Sequence, residues 1–74
     1  MTLAETPNKA IVRICAMRVG LRATGKLSQL GIRIGSEVLV ERFAPFGGPV
    51  MIRIESREIA LGKRLAQKIL VEVV

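Results

Sequence analysis

The sequence predicts a small, mainly β domain: a closed or partly closed barrel of about five short strands, with a helix after the first strand and a short helix before the last. Three observations support this fold class. The chain has 74 residues, which leaves room for one hydrophobic core, so we expect residues 1–74 to form a single domain. Half of the residues are hydrophobic but only two are aromatic, so the core must be aliphatic. Apolar residues alternate with polar ones in several short runs that glycine and proline separate.

The first strand is predicted at residues 10–17, a run rich in Ile and Val. Its apolar side is expected to carry Val12, Ile14 and Ala16. Cys15 lies in the same run, where we expect a buried or half-buried thiol that packs as a small hydrophobe. Residues 1–8 precede the strand, and we expect a weakly structured, flexible arm that ends in a turn at Pro7-Asn8.

The next segment, residues 20–30, has the period of a helix. Its apolar positions are Ala23, Leu27 and Leu30. Gly25 weakens this helix by about 1 kcal/mol relative to alanine. Gly31 can end the helix in the left-handed conformation, and Ile32 can fold back on the last turn.

Four more strands follow from alternating apolar residues. They are predicted at residues 37–43, 50–55, 58–61 and 69–74. The last of them is expected to place Ile69, Val71 and Val73 on one face. A loop with two prolines and two glycines, residues 44–49, separates the second and third strands. One or two turns of helix are expected at residues 62–68, with Leu65 and Ala66 turned inward.

One stretch, GLRATGKL at residues 20–27, differs by one letter from the phosphate-binding pattern G-x-x-x-x-G-K-[ST]. Its last position is Leu27, which cannot bind Mg²⁺. The second anchor of that metal is usually an Asp, and this chain contains none. We therefore expect no nucleotide site. Arg22 and Lys26 could attract an anion, but solvated charges on an exposed helix face are the preferred interpretation.

The residue types argue against catalysis and against a firm metal site. The chain has no His and no Asp, and its one Cys cannot form an internal disulfide. Zinc needs Cys or His ligands that are missing here. Glu37 and Glu41, four residues apart on one strand, could hold a hard cation weakly or form the solvent-exposed side of that strand. The sequence predicts neither an enzyme nor a cofactor.

Charge and hydropathy limit the possible locations of the chain. Twelve Lys and Arg against six acidic residues give a net charge of +6, which suits either solubility or association with a polyanion. The amino-terminal residues lack an apolar run of signal-peptide length, and no transmembrane segment is predicted. We therefore expect a cytoplasmic protein.

The order of the motifs resembles the FeoA family, the small cytoplasmic ferrous iron transport A proteins. The matching pieces, in order, are Leu30-Gly31-Ile32, Gly35-Ser36-Glu37-Val38, Pro45-Phe46-Gly47-Gly48-Pro49, Ala60-Leu61 and Ile69 through Val73. The resemblance covers roughly residues 10–74. No single piece is specific, but the ordered set at this spacing is fairly strong.

The resemblance implies an SH3-like barrel and an accessory role in ferrous iron uptake. The implied partner is FeoB, a membrane Fe²⁺ transporter with a cytoplasmic GTPase domain, whose transport the chain would support or regulate. The family is associated with transition metal ion binding in general terms, yet it assigns no catalytic or metal-binding residue to this chain. Self-association of so small a domain is a further expectation.

The partner-binding residues predicted first lie in and beside the proline- and glycine-rich loop. They are Phe43, Pro45, Phe46, Gly47 and Gly48, because an aromatic at a rigid loop tip can anchor a partner. Leu39 and Met51, on the otherwise polar faces of their strands, are second candidates. Either phenylalanine could instead cap an open end of the barrel.

Two other functions are compatible with a small basic barrel. One is binding of single-stranded nucleic acid, which normally needs a cationic groove and several stacking aromatics, and here there are only two phenylalanines. The other is carriage of Fe²⁺ or another divalent metal, against which the missing His and the scattered Glu argue. A protein partner remains the preferred prediction.

Overall fold

The computed structural model describes residues 1–74 and has the predicted order of elements. The strands are β1 (Ile11–Met17), β2 (Glu37–Phe43), β3 (Val50–Ile54), β4 (Arg57–Leu61) and β5 (Ile69–Val73). Helix α1 (Leu21–Gln29) follows β1, and the single turn of α2 (Lys63–Ala66) precedes β5. A 3-10 turn (Leu3–Glu5) comes before β1. None of the helices is both long and apolar enough to cross a bilayer.

The strands form one antiparallel sheet in the order β4-β3-β2-β1-β5. Strands β4 and β5 are its two edges and do not pair with each other, so the sheet curls without closing. This confirms the predicted mainly β fold in its partly closed form.

The core lies on the inner face of this sheet and is aliphatic, as predicted. Fourteen hydrophobic residues form one buried cluster, and none of them is aromatic. The fully enclosed side chains include Val12, Val40, Ile52 and Ile69. On β5, Val71 is also buried, and Val73 pairs with the buried Val12, so Ile69, Val71 and Val73 share one face as predicted, although Val73 at the end of the strand remains 54% exposed.

A β-bulge interrupts β1 at Cys15 and corrects two predictions. The pairing with β5 shifts between Ile14 and Ala16, so Cys15 is the extra residue. The thiol is therefore exposed instead of buried. Beyond the bulge Met17 pairs with the fully buried Ile69, so Met17 takes the inner face and Ala16 the outer one. Strict alternation cannot show such an insertion.

The amino-terminal segment is ordered, which corrects the expected flexible arm. Leu3 is fully buried, and Thr6 is buried with its hydroxyl donating to the Leu3 carbonyl at 2.9 Å. The Met1 carbonyl accepts from Val71 N–H at 2.8 Å, and Thr2 forms a bridge with Leu70. The segment thus covers the free edge of β5, whose polar groups would otherwise lack partners. The turn after Pro7 is present as predicted, with Ala10 N–H donating to the Pro7 carbonyl.

Helix α1 ends as the sequence predicts. Gly31 has φ +88°, and its N–H donates to the Ser28 carbonyl at 3.0 Å. Ile32 N–H donates to the Leu27 carbonyl at 2.9 Å, which completes a Schellman motif. Ile32 is fully buried, so it does fold back under the last turn. Leu27 is the only buried residue of the helix itself.

Candidate partner-docking site

The loop between β2 and β3, residues 44–49, is held by its own backbone. Ala44 N–H donates to the Pro49 carbonyl at 2.9 Å, and Gly48 N–H donates to the Pro45 carbonyl at 3.2 Å. A Cβ at Gly48 would lie 2.8 Å from the Ala44 Cβ, closer than side chains tolerate. Glycine is therefore required there, and the loop has a defined shape rather than a loose one.

Phe46 stands at the tip of this loop in an unfavourable conformation. Its φ is +59°, a region that bulky residues rarely adopt, and Gly47 beside it has φ +72°. The Phe46 side chain is fully exposed, at 104% of the reference area. A strained backbone of this kind costs about 1–3 kcal/mol and is typical of functional sites. The loop thus keeps the apolar Phe46 ring exposed to water, in a backbone conformation that lowers the stability of the isolated domain.

A groove of about 210 Å³ lies beside the loop. Its lining residues are Ala4, Phe43, Ala44, Gly47, Gly48, Val50 and Lys63. The Lys63 ammonium lies 3.9 Å from the position that a Gly47 Cβ would occupy. Lys63 is exposed and forms no ion pair. The groove therefore combines a mostly apolar floor with one free cation, which suits an apolar side chain next to a carboxylate.

The structure divides the predicted partner-binding residues among three places. Pro45, Phe46, Gly47 and Gly48 lie together in the loop, with Phe46 and Pro45 exposed. Phe43 instead packs against the core from the end of β2 and lines the groove, so it serves mainly as the cap that was the other interpretation. Leu39 and Met51 lie on the outer face of the sheet, partly buried, and do not join the loop.

A second bulge explains why Phe43 faces inward. The pairing of β2 with β3 shifts between Val40 and Arg42, which makes Glu41 the extra residue. Phe43 then pairs with the buried Val50 and shares its inner face. Phe43 therefore lies against the core, and Phe46 is the only fully exposed phenylalanine.

The outer face of the sheet carries a network of ion pairs. Arg53 Nε donates to Glu41 Oε1 at 2.5 Å and lowers the pKa of Glu41 below its ordinary value of 4.5, a shift that the partial burial of this carboxylate opposes. Arg13 binds Glu37 at 3.0 Å and Glu72 at 3.2 Å, and these carboxylates raise the pKa of Arg13, with Glu37 as the larger cause. Each of the four carboxylates on this face pairs with at least one Lys or Arg.

Glu37 and Glu41 therefore belong to separate ion pairs. No group of three or more His, Cys, Asp or Glu side chains in residues 1–74 is arranged to hold a metal ion. The pair forms the charged outer side of β2, which is one of the two roles that its spacing allowed.

Sequence reasoning missed Ala4 and Lys63 as lining residues. Ala4 belongs to the segment expected to be flexible, and Lys63 is one of twelve basic residues with no local signal to distinguish it. The contacts of the amino-terminal turn with β5 and α2 place Ala4 next to the loop.

Comparison with known proteins links this fold to a family. A family model described as the FeoA domain matches residues 1–73. The chain is 43% identical over 72 residues to a protein of Methanocaldococcus jannaschii named putative Fe(2+) transport protein A, covering 97% of this chain and 83% of that one.

Solved structures agree with this match. The solution structure of iron(II) transport protein A from Clostridium thermocellum superimposes with a TM-score of 0.91 at 35% identity, over all of this chain and 46% of that one. The solution structure of FeoA protein from Chlorobium tepidum gives a TM-score of 0.92 at 23% identity, over all of this chain and 70% of that one. At that lower identity the likeness shows the fold alone.

Proposed function

Because the chain belongs to the FeoA family, whose role is in ferrous iron transport, we propose that it is a non-catalytic accessory protein that docks on a FeoB-type Fe²⁺ transporter. Docking would take place on the cytoplasmic part of the transporter, which requires a cytoplasmic location. There the domain supports or regulates transport. In this role Fe²⁺ is the cargo of the partner rather than a ligand of this chain.

The observation that carries the docking proposal is Phe46. The ring is fully exposed on a loop whose hydrogen bonds and close glycine contact fix its position. A rigid, exposed aromatic loses little conformational entropy when a partner covers it, and aromatic residues are enriched among interface hot spots. Burial against a partner would also repay the strain of the positive φ.

The groove beside Phe46 indicates the partner's chemistry. An apolar side chain can enter between Phe43 and Val50, and a neighbouring carboxylate can pair with Lys63. We therefore propose that the transporter presents a segment with an apolar residue next to an acidic one.

The test is binding to the isolated soluble cytoplasmic domain of the transporter, measured by calorimetry or interferometry. We expect Phe46→Gly to weaken binding at least tenfold, since hot-spot truncations cost about 2 kcal/mol or more. The same change should leave the domain as stable as before or up to about 1 kcal/mol more stable, because glycine adopts positive φ without strain.

Ile34→Gly is the matched control, since Ile34 is another exposed apolar residue, at 67% exposure, outside the loop. It should leave the affinity unchanged. Equal binding by the parent chain and Phe46→Gly would refute docking through this loop, and the absence of binding at high micromolar concentration would refute the partnership itself.

A further inference from the structure

The charges of the chain are divided unevenly between two surfaces. On the outer face of the sheet four cations pair with four carboxylates. These are Lys9, Arg13, Arg42 and Arg53 with Glu37, Glu41, Glu58 and Glu72. That face is electrically neutral as a whole. The rest of the chain has eight cations and only two carboxylates, Glu5 and Glu55, so it carries the entire net charge of +6.

Five of the eight unpaired cations lie in α1, in α2 and in the segments where β1 leads into α1 and α2 leads into β5. We call this group the basic band, and it consists of Arg18, Arg22, Lys26, Arg64 and Lys68. All five side chains are exposed. Glu5 lies in the amino-terminal turn, which contacts α2, and its carboxylate accepts from Thr2 N–H at 2.8 Å.

The backbone brings the two halves of the basic band together. Arg18 N–H donates to the Lys68 carbonyl at 2.7 Å, directly beyond the pairing of Met17 with Ile69. Arg64 lies in α2 and Lys68 in the turn after it, and Arg22 and Lys26 are four residues apart on α1. Residues with that spacing lie on the same side of a helix.

An uncovered apolar residue accompanies these charges. Leu21, the first residue of α1, is 92% exposed and precedes Arg22 directly. Leu27 on the same helix is buried, so α1 rests on the core with one side and presents Leu21 away from it. Basic residues around an exposed leucine are typical of helices that lie at a membrane interface.

We propose that the basic band, with Leu21, binds the surface of an anionic phospholipid bilayer. Five basic side chains fall within the range of four to eight that characterises segments attracted to acidic lipid. None of the five is held by an ion pair, so their long side chains can adapt to mobile headgroups while Leu21 enters the interfacial layer. This surface is separate from the docking loop and does not depend on the proposed transporter partner.

Two other anionic partners fit less well. Single-stranded nucleic acid is bound by stacking several bases on aromatic side chains, and the band contains none. An acidic protein surface would not need the exposed Leu21 beside the charges.

The test is co-sedimentation of the full chain with vesicles. Vesicles of phosphatidylcholine and phosphatidylglycerol in equal amounts should retain the protein at low salt, and pure phosphatidylcholine vesicles should not. Raising the salt to about 0.5 M should abolish retention, because screening then acts within a few ångströms. Replacing Arg22 and Lys26 by Gln together should weaken partitioning about 25-fold, at roughly fivefold per charge. Leu21→Gln should weaken it severalfold with no change in charge.

The matched control is Lys9→Gln with Arg42→Gln, which removes the same charge from the paired outer face. It should change partitioning less than about twofold. Equal losses in the two double variants would overturn the proposal, because net charge alone would then explain retention. The absence of binding to the anionic vesicles would also overturn the proposal, even if the chain bound a poly-glutamate peptide or an oligonucleotide. None of these outcomes bears on the transporter domain, whose assay contains no lipid.

Discussion

The amino-terminal turn and helix α1 make an instructive pair. The turn has three helical residues and was expected to be flexible, yet Leu3 is fully buried and Thr6 nearly so. The helix has nine residues with a recognisable apolar period, yet it buries only Leu27. Length and amphipathic pattern therefore do not determine how firmly an element is held. What matters is whether the topology leaves an uncovered gap in the core, and here the gap lies beside β5, where the chain start fits.

The largest expected effect on stability is that of Leu3→Ala in the amino-terminal turn. Removing a fully buried leucine should cost about 2–5 kcal/mol, a large part of the stability of so small a domain. The measurement is the free energy of unfolding in urea. Leu30→Ala is the control, since Leu30 is 37% exposed and should cost about 1 kcal/mol or less. Similar losses for the two variants would mean that the turn is not anchored as described.

An intermediate effect is expected at the end of α1. Gly31→Ala should lose about 1–2 kcal/mol, because the residue has φ +88° and the new Cβ would lie 3.1 Å from the Arg57 guanidinium. The same substitution at Gly25, mid-helix and in open space, should instead gain up to about 1 kcal/mol. Thermal unfolding measures both. A loss at Gly25 would show that α1 is packed more tightly than its exposure indicates.

The smallest expected effect is that of low pH on the amino-terminal turn. Thr2 N–H donates to the Glu5 carboxylate, which lowers the pKa of Glu5 below its ordinary value of 4.5. A carboxylate with a lowered pKa stabilises the folded state above that ordinary value, and the contribution is lost as the pH falls through the lowered pKa. Helix α1 has no acidic residue in its first turn.

Acidification below about pH 4.5 should therefore loosen the amino-terminal turn before it affects α1. Hydrogen exchange followed by mass spectrometry can compare the two segments. The variant Glu5→Gln should remove the pH dependence of the turn, and equal acid sensitivity of both segments in the parent chain would contradict the assignment.

Much of the fold could be predicted because its signals are local. The alternation in β2 gave its bounds, and Gly31 followed by Ile32 marked the end of α1. The wrong face assignments in β1 have one cause. Each bulge inserts one residue that the alternating pattern cannot show, so the faces were misassigned directly after it. Ala16 and Met17 exchanged faces in this way.

The candidate site was predictable only in part. Phe46 could be found because an aromatic between proline and glycine is conspicuous in a sequence. The groove beside it could not, because Ala4 and Lys63 join it through contacts between residues far apart in the chain. The basic band is hidden for the same reason: its charges are scattered in the sequence, and the pairing of β1 with β5 is what brings Arg18 next to Lys68.

Because of the bulge at Glu41, β2 has one residue that is not needed for the packing of the core. Val40 and Phe43 both point to the core, and two outward residues stand between them where a regular strand has one. A chain shortened by one residue at Glu41 would keep every other side chain on its present face. It would lose only the carboxylate that binds Arg53 and Lys9. Deletion of the single codon for Glu41 could thus change the charge of the outer surface while the packing beneath it stays as it is.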